Sequence, residues 1–157
     1  MPKLTVKGLD EVVDHLDFYS KEAEKAATAA VYDGAAIVAD EIRKSIEDLP
    51  VQGGFVPPGT KRTGLQPEAK QGLLDSLGIS PMQKKGGAVD VRVGFDGYNK
   101  IKTKQFPKGL PNQMIAREAE SGNSFTPAFH FVRKAINRSR KKAVAAMQEA
   151  FTKKIEE

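Results

Sequence analysis

Two histidines are the first residues to weigh for chemistry. His15 stands between Asp14 and Asp17, and His130 stands among Phe125, Phe129 and Phe131. General acid–base work needs a partner within hydrogen-bond reach that orients the imidazole. On a helix that partner sits three or four positions away. Asp14 and Asp17 lie closer than that to His15, and no acid lies within four positions of His130. No cluster has metal-ligand spacing. The segment Gly54 to Lys61 resembles a phosphate loop, but Gly59 is followed by Thr60-Lys61, the reverse of the required order. Pro57 and Pro58 also remove two backbone donors that would hold phosphate. Asn137-Arg138-Ser139 matches a glycosylation acceptor inside an expected helix, and reads as chance. Nothing here makes an enzyme, and no cofactor is implied.

Charge is the remaining chemistry. Arg133, Lys134, Arg138, Arg140, Lys141 and Lys142 crowd the start of an expected last helix. Lys134, Arg138, Lys141 and Lys142 share one face, which could meet phosphates through nonspecific contacts or simply stay in solvent. No aromatic residue is interleaved, so base stacking is not expected. Lys100, Lys102, Lys104 and Lys108 form a second basic group.

The chain has 157 residues, a net charge of +5 and no cysteine. That length fits a single domain over 1–157 with its own core. Disulfides are excluded, and an intracellular assembly route is permitted. No apolar run approaches a membrane span, and Met1-Pro2-Lys3-Leu4-Thr5 carries no signal-peptide pattern. The basic balance permits contact with nucleic acid or an acidic protein.

The element that must position these residues is a helix over 21–48. Ala27, Ala30, Val31, Gly34, Ala35, Val38, Ile42 and Ile46 recur at steps of three and four. Its middle is small, and Gly34 costs about 1 kcal/mol against alanine in an exposed helix interior. Gly34 is therefore assigned to close helix packing. Ahead of it, Leu4 and Val6 read as a short strand and Leu9 to Leu16 as a short helix, with Ser20 as cap of the long one. After Pro50, residues 49–70 form a long Gly/Pro-rich loop, read as an arm that orders against a neighbour. Leu73, Leu74 and Leu77 make a helical turn. Ile79 to Gln83 and Val89 to Phe95 read as a hairpin joined by Lys84-Lys85-Gly86-Gly87, with Pro81 marking an edge. A second loop covers 97–111. Asn112 is a candidate cap for a short helix, and Thr126 with Pro127 for the last one. The fold class is α+β: a small antiparallel or mixed sheet against a long N-terminal-half helix and a C-terminal helix, with long extended loops.

The order of elements resembles the tail-completion or neck proteins of long-tailed bacteriophages, related to the minor tail protein Z of phage lambda. The opening Val6-Lys7-Gly8-Leu9-Asp10-Glu11-Val12 is similar to that family's "GLDEL"-like helix. Thr63-Gly64 and Leu74-Asp75-Ser76-Leu77 match parts of a "TG-L-x-x-S-I" segment. Glu120 precedes a "GTS"-like turn, and Pro127-Ala128-Phe129-His130-Phe131-Val132-Arg133-Lys134-Ala135 follows the pattern "P-A-x-P-F-L-R-P-A". His130 and Lys134 depart from it, since the family usually has proline there. A long insertion before Leu73 is a further departure.

The resemblance implies a non-enzymatic virion protein of the neck, made in the host cytoplasm. It would form a homo-oligomeric ring of six or twelve copies between a head-completion or connector protein and the tail terminator or tail tube. Double-stranded DNA would pass through the lumen without sequence-specific binding, and no membrane is involved. Gly53, Gly54, Phe55, Pro57, Pro58, Lys61 and Arg62 are then the candidate partner interface. Lys100, Lys102, Lys104, Lys108, Arg133, Lys134, Arg138, Lys141 and Lys142 are candidates for the DNA lumen or an acidic partner. The competing readings are a freestanding basic nucleic-acid-binding protein and, less supported, a small toxin-like or regulatory enzyme.

Overall fold

The computed structural model describes residues 20–86 and 88–157; the expected first strand and first helix, with His15, lie outside them. Within the described residues the chain forms four helices, α1 (Ser20–Glu47), α2 (Pro67–Ser76), α3 (Asn112–Ser121) and α4 (Phe131–Glu156). Four short strands, β1 (Leu77–Ile79), β2 (Gln83–Lys85), β3 (Ala88–Asp90) and β4 (Val93–Phe95), stand between α2 and α3. The architecture is α+β, as the sequence pattern leads one to expect.

α1 is 28 residues long, and its apolar stripe is the centre of the core. Ala30, Ala35, Ile42 and Ile46 are fully buried. Full burial of a side chain such as isoleucine stabilises by about 1.5–3 kcal/mol. The partner is α4, which runs antiparallel. Gly34 of α1 faces Met147, while Ser45 near the end of α1 bonds Arg138 near the start of α4. On α4 the stripe Ala135, Ser139, Ala143, Met147 and Phe151 is buried. Ser139 is tolerated there because its hydroxyl donates to Ala135 O at 2.7 Å.

The hairpin crosses α1 on a different side. Glu24 pairs with Lys84, the Thr28 hydroxyl reaches Met82 Sδ, and the Tyr32 hydroxyl donates to Ser80 O. Four helical residues rise about 6 Å, and two strand residues rise about 6.6 Å. That near match lets every fourth residue of α1 meet every second residue of the strand.

The expected single hairpin is broken into two ladders. β1 pairs with β4, Ile79 opposite Val93, and β2 pairs with β3, Gln83 opposite Asp90. Between them, residues 80–82 oppose only 91–92, the extra residue of a bulge. Pro81 is not an edge residue of a continuous strand but part of this break, since it has no N–H to give. Ser80 repairs the ladder locally: its N–H donates to Arg92 O, and its hydroxyl accepts from Arg92 N at 2.8 Å. The second strand also begins earlier than expected, and Lys84 and Lys85 belong to β2 rather than to the turn.

Three helix starts differ from expectation. α2 is a ten-residue helix beginning at Pro67, not a turn around Leu73. Asn112 is not a cap: Pro111 holds that position, and Asn112 is buried with its amide donating to Asp96 O at 3.0 Å. Thr126 and Pro127 do not open the last helix either. The Thr126 hydroxyl is bonded to Glu118, and the chain stays non-helical until Phe131. The cap residue there is His130, at φ 50° and ψ 37°. A left-handed backbone of this kind costs a non-glycine residue about 1–2 kcal/mol.

Candidate assembly surface

The first arm runs from Leu49 to Gln66, shorter than expected because α2 takes its last residues. Lys70, in the first turns of α2, donates to Glu47 O at 2.6 Å and Leu49 O at 2.9 Å. It thereby satisfies carbonyls at the end of α1 that have no partner inside the helix. The root of the arm is closed by Gln52 N to Leu65 O and Leu65 N to Pro50 O, both 2.8 Å. Gly64 makes this possible: a Cβ there would fall against the Pro50 carbonyl, with Pro50 C at 2.7 Å. Thr63 N donates to the Gln52 side chain, and Arg62 N donates to Phe125 O at 2.6 Å. Beyond this root, Gly53, Gly54, Phe55, Pro57, Pro58 and Lys61 are all exposed. Phe55 is 86% exposed, the most exposed large apolar residue among those described.

The second loop, 97–111, is a hydrogen-bonded lobe rather than an open excursion. Asn112 N donates to Gly97 O, Asn99 N to Leu110 O, and Leu110 N to Ile101 O. Thr103 and Phe106 exchange backbone bonds at its tip. This extended geometry alternates side chains between two faces. Lys100, Lys102 and Lys104 point to solvent, Lys108 is also exposed, and Ile101 packs inward. Asn99 anchors the base: it is buried, and its Oδ1 accepts from Ile101 N at 2.9 Å. The two arms meet. Gly53 and Gly54 share a cleft of about 450 Å³ with Lys100 and Ile101.

The basic run at the start of α4 separates into two faces. Arg138 is tied to α1, with its guanidinium 2.9 Å from Ser45 Oγ and 3.5 Å from Glu41. Lys134 and Lys141 are exposed on that side, and Lys142 is exposed beside them. Arg133 and Arg140 turn the other way. With Arg117 of α3 they line a cleft of about 740 Å³ whose apolar wall includes Phe95, Val132 and Ile136. None of these three arginines has a side-chain hydrogen bond or ion pair among the described residues. Arg117 comes from a separate helix, so sequence spacing gave no sign of it.

Glu120 explains how this surface is held. Its carboxylate accepts from Val132 N at 2.8 Å and Arg133 N at 3.1 Å. These are backbone donors of the first turn of α4, which lack intrahelical partners. A carboxylate there also meets the positive end of the helix dipole. The glutamate ahead of the glycine turn is thus a cap delivered from twelve positions upstream. His130 is exposed and has no ion pair among the described residues. Among those residues no group of three or more His, Asp or Glu side chains could hold a metal ion, and no helix is long and apolar enough to cross a membrane.

What the surface offers is contact: an apolar arm tip, a lysine lobe and an arginine cleft. Residues 10–100 match the family described as "Bacteriophage HK97-gp10, putative tail-component". The chain belongs to this HK97-gp10-like family. The match takes in α1, the first arm, α2, both ladders and the first residues of the lysine lobe; α3, α4 and the arginine cleft follow it. No curated protein and no solved structure matches the chain. As an HK97-gp10-like tail component it has a structural role in the virion tail, which meets the expected kinship with phage tail components; the match does not extend to the phage lambda protein.

Proposed function

We propose that this tail component is a ring subunit of the neck. Copies would close a homo-oligomeric ring that joins the head connector to the tail tube and leaves a lumen for DNA. The observation that carries this reading is the pair of arms rooted side by side on a family member's core. Gly53–Lys61 is long, glycine- and proline-rich, and exposes Phe55. An exposed aromatic on a glycine- and proline-rich arm stabilises little in an isolated subunit but suits a pocket on a neighbour. The lysine lobe beside it is held by backbone bonds, so Lys100, Lys102 and Lys104 are presented as a row. Such a row suits weak, sequence-independent contact with passing phosphates.

The runner-up, a freestanding nucleic-acid-binding protein, draws on one fact. Residues 97–142 carry eleven lysines and arginines against Glu118 and Glu120 alone. Particles assembled without the protein separate the two. The neck reading expects filled heads and full-length tails that fail to join. Normal joining with a defect confined to DNA replication or expression would favour the runner-up.

A further inference from the structure

The arginine cleft has no occupant within the chain, and the same chain carries its complement. Arg133 and Arg140 are seven positions apart on α4, with Ile136 between them. On the outer face of α1, Asp33 and Asp40 are also seven positions apart, with Ile37 between them. Seven residues span about 10.5 Å of helix in both cases. Asp33 and Asp40 are exposed and Ile37 is half-buried. Like the arginines, both aspartates lack a side-chain hydrogen bond or ion pair among the described residues. They lie away from the stripe that meets α4 and from Glu24, Thr28 and Tyr32, which meet the hairpin.

We infer that the α3–α4 cleft of one copy receives the Asp33–Asp40 face of α1 from the next. This rests on the ring reading and names the contact that would close it. Arginine is suited to the role because its planar fork binds a carboxylate through two parallel bonds. The apolar wall of Phe95, Val132 and Ile136 would take Ile37, burying apolar area at the centre with charge at the rim. Duplex DNA fits less well, since phosphates would engage the arginines and leave that wall bare. The two patches are different surfaces of one chain, so the contact is head-to-tail. Such a contact closes into a ring when its rotation allows.

The chain has no cysteine, so an introduced pair reports cleanly. Full-length Ile37→Cys/Ile136→Cys protein, oxidised at high concentration, is expected to give a ladder of covalent oligomers. Each single variant should give nothing beyond a dimer. Charge reversal supplies the second measurement, by sedimentation. Asp33→Arg/Asp40→Arg and Arg133→Glu/Arg140→Glu should each self-associate about a hundredfold more weakly. Mixing the two should restore assembly, because each then offers what the other needs. Wild-type-like assembly of either variant, without a cysteine ladder, overturns this contact and leaves the ring reading in place. A wild-type chain that stays monomeric in solution and in the particle overturns both.

Discussion

Met147 of α4 occupies the space that a side chain on Gly34 of α1 would need. A Cβ at Gly34 would lie 2.6 Å from Met147 Cγ and 2.9 Å from Sδ. Met147 is itself fully buried, so it has no solvent to move into. Gly34→Leu is therefore expected to destabilise by at least the usual 1–3 kcal/mol of overpacking, read as a lowered urea midpoint. Met147→Ala alone should cost about 2–5 kcal/mol through the cavity it leaves. The double variant should cost clearly less than the two changes summed. Strict additivity would show that the two residues are not packed as described.

Glu120→Ala removes the remote cap of α4. Loss of a helix N-cap typically costs about 0.5–2 kcal/mol. Val132 and Arg133 amides should then exchange faster than in the wild type, while those in the middle of α1 change little. Unaltered exchange at Val132 and Arg133 would mean that the carboxylate does not hold that turn.

At His130 the backbone is left-handed, φ 50°, a region glycine enters without steric cost. His130→Gly should match or slightly exceed wild-type stability. His130→Pro should be strongly destabilising, because proline fixes φ near −65°. This is also where the chain departs from the proline of the pattern it resembles. A stable His130→Pro variant would show that the turn can be rebuilt.

The first arm should show two behaviours in hydrogen exchange. Gln52 and Leu65 amides, bonded at its root, should be protected in the isolated subunit. Amides over 53–61 should exchange quickly there and slowly in the assembled particle. Equal rates in both states would argue against an arm that orders on a neighbour.

Lys100, Lys102 and Lys104 replaced together by glutamine should leave thermal unfolding unchanged, since all three are exposed. Assembly or DNA delivery should change instead. Isolated wild-type protein should bind duplex DNA weakly and with steep salt dependence. An unaltered particle would remove the lobe from any role at the lumen.

How much of this was legible in the sequence depended on how local each cause is. α1 was legible because 28 residues repeat one apolar stripe without a proline. That its neighbour is α4, and that Met147 is the contact, was not, since helix pairing is a long-range choice. α2 was hidden by the Gly/Pro-rich stretch before it, although Pro67 is a sound start signal. The reverse happened at Thr126-Pro127. Both carry local start signals, yet α4 begins later because its cap comes from Glu120 on another helix. The basic run read as one surface until folding sent Arg138 to α1 and turned Arg133 and Arg140 toward Arg117.

The central claim is a place in the particle, and imaging the head–tail junction tests it most directly. Averaged density of intact virions should show a closed ring of this chain between connector and tail tube, at six or twelve copies per particle. Copies spread along the tail tube, or none in the particle at all, would contradict the account.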